Sequence, residues 1–366
     1  MAHIDLTSDV VTLTASLVDI ASESLDEQEI ADAVEAALTP LPHLEIVRDG
    51  HTIVARTSLG RSERVVIAGH LDTVPANGNF PSRLEGDILH GLGTCDMKGG
   101  VAVALLLAAT VPDPVRDVTY VFYDAEEIAA EFNGLGRIAR ERPELLAGDF
   151  AILMEPSDAG VEAGCQGTMR VDIRTAGERA HSARSWMGSN AIHALAPVLE
   201  RLSAYVAREV EIDGLVYREG LNAVAISGGV AGNVVPDEAV VTVNYRFAPD
   251  RSPDQAHRHL QDVFEGFGLT VTDSAPGALP GLSQPAAAAF VAAVGAEPRP
   301  KFGWTDVAQV TLLGVPAVNY GPGNPIYAHK ADEHVPVEHL HRVHATLTNW
   351  LTSCRTVPPP RRARCG

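Results

Sequence analysis

Three apolar runs in this chain end abruptly at a His or an acid. RVVIAG (64–69) runs into His70, VTYVFY (118–123) into Asp124, and DFAILM (149–154) into Glu155. Every residue of the middle run is apolar or β-branched, so it reads as a buried strand and not as a strand with one wet face. Helical spacing separates the runs, near 98–111 and 134–141. Strands alternating with helices predict a largely parallel sheet covered on both faces. The end of the middle run is unusual. Asp124, Glu126 and Glu127 place three carboxylates in four positions. Either the chain has reached solvent there, or something cationic offsets their repulsion.

The texture changes near Thr168. TMRVDIRT (168–175) alternates like a half-exposed strand, 190–206 is helical, NAVAIS (222–227) and EAVVTVNYRF (238–247) are strands, 253–267 is helical and LTVTD (269–273) is a strand. That β-α-β-β-α-β order is the split pattern of ferredoxin-like domains. The α/β texture then resumes, with a helix at 286–294, a short strand at 316–321 and a final helix to about 352. With 366 residues, two domains are expected. The predicted organisation is a catalytic α/β domain at 1–167 and 282–356, an inserted α+β domain at 168–281 and a disordered tail at 357–366.

A net charge of −19 argues against general nucleic-acid binding, which needs Lys and Arg. The longest apolar run, VAVALLLAATV (101–111), is too short to span a bilayer. No signal-peptide pattern opens the chain, and its four cysteines form no CxxC pair. The expected compartment is the cytoplasm.

Four polar motifs follow the apolar runs or open helices. GHLDTVP (69–75) puts His70 and Asp72 two apart, on one side of an extended chain. GLGTCDMKGG (91–100) has Asp96 where a dinucleotide-binding loop needs its third glycine, and a carboxylate there would repel a pyrophosphate. MEPSDAG (154–160) offers Glu155, and YAHKADEHVP (327–336) offers His329. Taken singly, each fits a strand-end turn or a solvated loop. Together, His70, Asp96, Glu126, Glu127, Glu155 and His329 lie beyond strands or at strand-to-helix turns, where open α/β sheets bind ligands. Two imidazoles and several carboxylates suit a pair of divalent metals, zinc foremost. A glycosidase pair is excluded, because adjacent Glu126 and Glu127 cannot flank a bond from opposite sides.

With these motifs in order, and with GERAHSARSWMGSNAI (177–192) between them, the chain from about 10 to 352 resembles the dinuclear zinc metallopeptidase family. That family includes succinyl-diaminopimelate desuccinylases, acetylornithine deacetylases, aminoacylases and several dipeptidases. The desuccinylases of actinobacterial type are the branch it is most similar to.

The resemblance implies two Zn²⁺ per chain, with Co²⁺ as a substitute. His70 and Glu155 would bind one ion, Glu127 and His329 the other, and Asp96 would bridge them. Glu126 would be the general base and acid, and Asp72 would orient His70. A cis peptide is implied at Asp96–Met97. The inserted domain would be a dimerisation lid, its His181 stabilising the oxyanion in the neighbouring subunit of a homodimer. Arg184, Asn233 and Arg246 would hold substrate carboxylates.

The implied reaction is hydrolysis of an N-acylated amino acid, first N-succinyl-LL-2,6-diaminopimelate, releasing succinate. Acetylornithine or another substrate of the family is the alternative, and a non-enzymatic binding relative is the alternative of a different class. Two departures from the better-known desuccinylase pattern bear on substrate: Leu92 where Arg is usual, and IAAEFNG after the glutamate pair where Gly follows at once.

Overall fold

The computed structural model describes residues 2–353; the tail expected at 357–366 lies outside them. The chain divides into two compact units. One comprises Met1–Ala163, Gly281–Arg299 and Gln309–Gly366, the other Gly164–Pro280 and Pro300–Ala308.

The first unit is built on a mixed, mostly parallel eight-stranded sheet. The strand Arg64–His70 lies at its heart, parallel to Asp117–Tyr123 on one side and to Phe150–Leu153 on the other. Ala317–Asn319 continues the parallel set beside Phe150–Leu153. Every residue of Asp117–Tyr123 is buried, as a run without polar alternation requires. The edges depart from the parallel expectation. Glu45–Asp49 and Thr52–Arg56 form an antiparallel hairpin, and Thr52–Arg56 runs antiparallel to Asp117–Tyr123. Only a short turn separates Glu45–Asp49 from Thr52–Arg56, too short for the crossover a parallel pair needs.

Because the central strands run parallel, their carboxyl ends share one side. His70, Asp124 and Glu155 therefore emerge together, as does the turn after Ala317–Asn319 that leads to His329.

The helix Lys98–Thr110 is buried on all sides from Lys98 to Ala108. This explains its apolar sequence, which is too short for a membrane span. No described helix is long and apolar enough to cross a bilayer. The helix packs close to the sheet because it starts with two glycines. A Cβ on Gly100 would lie 2.3 Å from the carbonyl oxygen of Met154.

A small three-stranded sheet, of Arg83–Glu85, Ile88–His90 and His334–Pro336, was not expected from the sequence. It ties the segment after His329 to the segment before Asp96.

The second unit carries a four-stranded antiparallel sheet in the order Gly220–Gly228, Glu238–Phe247, Gly167–Ala176, Leu269–Ala275. This is the strand order of the split β-α-β pattern. Helices Ala196–Ala204 and Pro253–Val263 supply Val198, Ala256 and Leu260 to its buried face. Pro253–Val263 starts at a capping box, Ser252 with Gln255. A hairpin, Glu209–Ile212 with Leu215–Arg218, also went unread.

The tight approach at Gly100 generates a prediction. Gly100→Ala must push Met154 aside, and overpacking of this kind costs about 1–3 kcal/mol. Urea denaturation should show that loss; a variant as stable as wild type would mean the backbone relaxes freely there.

Candidate metal centre

His70 closes its strand with its side chain fully buried. Its Nδ1 lies 3.0 Å from the backbone carbonyl oxygen of Asp72 and 3.5 Å from that residue's Oδ1. With the proton on Nδ1 donated there, Nε2 is left to face Asp96 Oδ1 at 3.1 Å. On the other side, His329 Nε2 lies 3.4 Å from Asp96 Oδ2 and 2.9 Å from Glu127 Oε1. Asp96 thus offers one oxygen to each imidazole. Donor atoms of His70, Asp96 and Glu127 fall within 4.8 Å of one another.

Glu155 is buried just after its strand and stands outside that close group of three. The peptide Asp96–Met97 is cis.

Asp72 does more than orient His70. Its Oδ1 accepts the Glu126 amide at 3.0 Å, and its Oδ2 accepts the Glu127 amide at 3.1 Å and the Ser24 hydroxyl at 2.7 Å. Glu333 has a similar place under Asp96. Its buried Oε1 accepts the amides of Cys95 and Asp96, each at 3.1 Å. Neither Glu333, which lies within the YAHKADEHVP motif, nor Ser24 was among the residues expected at the site. The signal for Glu333 was its four-residue distance from His329, in a segment that pairs back onto His90.

The electrostatics of this cluster call for positive charge. Burial pushes the His70 imidazole toward the neutral form, but hydrogen bonds to Asp72 and Asp96 outweigh it and hold its pKa well above the ordinary value. Asp96 and Glu127 push the His329 pKa up to about 10. Burial raises the Asp96 carboxyl, yet His329 and His70 hold it below the usual carboxylate range. Burial raises Glu127, against the pull of His329. The converging carboxylates thus favour positive charge at both imidazoles. A divalent cation supplies the same charge on the same nitrogen and oxygen donors, so the residues fit such an ion.

The remaining residues expected at the site belong to the second unit. Exposed His181 accepts the Ala183 amide through Nδ1 at 3.1 Å. The Ser182 amide bonds to the carbonyl of exposed Asn233 at 2.9 Å, so the structure sets these two loops side by side. Arg184 is exposed on the short turn after His181. Arg246 pairs with Thr168 across the sheet.

Comparison with known proteins agrees with this geometry. The chain is 59% identical over 351 residues to a Mycobacterium tuberculosis protein provisionally named succinyl-diaminopimelate desuccinylase DapE, covering 95% of this chain and 99% of that one. It is 48% identical over 360 residues to the succinyl-diaminopimelate desuccinylase of Corynebacterium glutamicum, covering 95% and 98%. Among solved structures, a Staphylococcus aureus tripeptidase superposes with a TM-score of 0.77 at 22% identity, covering 95% of this chain and 98% of that one. An M20 family metallo-carboxypeptidase from Sulfolobus solfataricus gives 0.76 at 16%, covering 94% and 98%. At those identities the structures speak to the fold alone. The profile of peptidase family M20/M25/M40 matches residues 66–353, a span that holds every residue of the His and carboxylate cluster, and the chain belongs to that family.

Proposed function

We propose that this chain is a metal-dependent amidohydrolase that cleaves N-succinyl-LL-2,6-diaminopimelate to succinate and LL-2,6-diaminopimelate. The observation that carries the chemistry is Asp96, set between His70 and His329 with one oxygen toward each, beside a glutamate pair clamped by Asp72. The substrate rests on the near full-length likeness to the mycobacterial and corynebacterial proteins. A Paracoccidioides lutzii protein named a probable carboxypeptidase is 28% identical over 306 residues. Placement in lysine biosynthesis and in the cytoplasm belongs to the same proposal.

His70, Asp96, Glu127, Glu155 and His329 would hold two zinc ions, with Asp96 shared. Bound zinc supplies Lewis acidity, making water acidic enough to give up a proton near neutral pH.

Membership of the family supports a part for the chain's own groups. Glu126 takes a proton from the attacking water as the new C–O bond forms. It returns that proton to the leaving amine as the C–N bond breaks. The bond from its amide to Asp72 holds the Glu126 backbone in place. His70, locked by the Asp72 carbonyl, presents one fixed nitrogen. Arg184, Asn233 and Arg246 would meet the substrate's carboxylates, Arg by paired hydrogen bonds.

The second unit would be the dimerisation lid. Its edge strand Gly220–Gly228 leaves Val224 and Ile226 more than half exposed, with Ile192 also exposed. A bare apolar sheet edge is a standing invitation to pairing, which a second copy of the chain satisfies. His181 would then serve the site of the neighbouring subunit.

Turnover with added zinc on N-succinyl-LL-diaminopimelate and on N-acetylornithine, side by side, tests the substrate. Zinc-dependent succinate release alone is expected, and cleavage of the acetyl substrate instead would move the protein to another branch. Glu126→Gln should lower kcat by about 10²–10⁴-fold while bound zinc stays at the wild-type level. His181→Ala should lower kcat by about 10²–10³-fold, the scale of a lost oxyanion donor. Mixed dimers of those two variants should regain activity, and mixtures that stay inactive would refute the shared site.

A further inference from the structure

Three successive amides in the acidic loop end on two buried carboxylates. Glu126 and Glu127 donate to Asp72, as described, and Ala125 donates to Glu27 Oε1 at 3.2 Å. Glu27 is 1% exposed and lies 98 residues earlier in the chain. The same Oε1 accepts the Leu25 amide at 2.9 Å. Ala125 and Leu25 both have left-handed backbones, with φ of 56° and 77°. Neither is a glycine, so each needs its surroundings to hold it there.

Glu27 also sits at the N-cap of helix Gln28–Leu38, where its side chain makes no capping hydrogen bond. Its carboxylate is turned away from its own helix and toward the loop that carries Glu126.

The segment around Glu27 is stitched to the His70 loop as well. The Ser22 hydroxyl donates to the Leu71 carbonyl at 2.7 Å, and the Thr73 amide donates to the Ser22 carbonyl at 2.9 Å. The Ser24 amide donates to the Thr73 carbonyl at 3.1 Å, and the Ser24 hydroxyl reaches Asp72 Oδ2. One short strap near the N-terminus therefore holds both loops of the candidate centre.

We infer that Glu27, with Ser24 beside it, is a positioning residue: it sets the backbone of Ala125 so that Glu126 and Glu127 point into the centre. This rests on the roles proposed above for those two glutamates. The required property is an acceptor oxygen at the reach of a glutamate, not a negative charge.

Two replacements separate those properties. Glu27→Gln keeps the reach and an acceptor, whereas Glu27→Asp keeps the charge and shortens the reach. Glu27→Gln should retain kcat within about threefold, and Glu27→Asp should lose about tenfold or more with KM within about threefold, because small misplacement of a reacting group is costly. In metal-free protein, hydrogen exchange across 123–132 should quicken in Glu27→Asp and stay as in wild type in Glu27→Gln.

Equal kcat in wild type and Glu27→Asp overturns the inference, even if exchange quickens, since Glu27 would then serve stability alone. Equal losses in the two variants also overturn it. Should Glu27→Asp not fold, Ser24→Ala decides: a fall in kcat of about threefold or more at unchanged KM supports the strap, and unchanged kcat overturns it. Absent wild-type turnover would strike the proposed function and this role with it, whereas normal wild-type turnover with an unaffected Glu27→Asp strikes this role alone.

Discussion

Like charges cannot be gathered in a buried place unless something holds them against their repulsion. Here the backbone does much of the holding. Asp72 is fully buried, yet its two oxygens take up two amides and a hydroxyl. Those bonds, with the His70 ring, outweigh burial and keep its carboxyl below the ordinary range. Glu333 and Glu27 repeat the device with the amides of Cys95, Asp96 and Ala125. Each buried acid is satisfied by main-chain donors. Asp96 and Glu127 are thereby left with oxygens directed to the imidazoles.

This division gives the site two layers of carboxylate with different needs. The outer layer is hydrogen-bonded within the fold itself: at Asp72 those bonds outweigh burial, whereas burial still raises the carboxyls of Glu27 and Glu333. In the inner layer, the imidazoles are the cations at hand, and His329 is half exposed. Burial strengthens every charge–charge term there, so the inner layer has a large electrostatic demand that a divalent ion meets. Both adjacent glutamate amides are fixed on Asp72, and Glu127 reaches His329.

Much of this was legible in the sequence. Non-alternating strands fixed the expectation of a parallel sheet, and strand ends fixed where the polar motifs would gather. His70, Asp96, Glu127 and His329 were expected together and are within reach of one another. The small elements were not legible. EVEIDGLVYR carries Asp213–Gly214, a strong two-residue turn signal with positive φ at both positions, and went unread. Glu27 escaped for a deeper reason. Its work depends on a contact 98 residues away, which no local period or spacing encodes. Nothing local to Ala125 marks it as the point where that contact lands.

The two units answer different physical problems. The first must collect acids and imidazoles rigidly, and it does so on the ends of fully buried parallel strands, which resist displacement. The second presents exposed His181, Arg184 and Asn233 on loops and an apolar edge strand, none of which is stable by burial within its own unit. Polar side chains on loops are inexpensive to move, and a bare edge gains most from a partner. A rigid centre in one unit and exposed polar loops in the other suit a hydrolase that must admit its substrate and let two products leave. On that reading the departures at Leu92 and after Glu127 matter less to bond cleavage than to what the centre is offered.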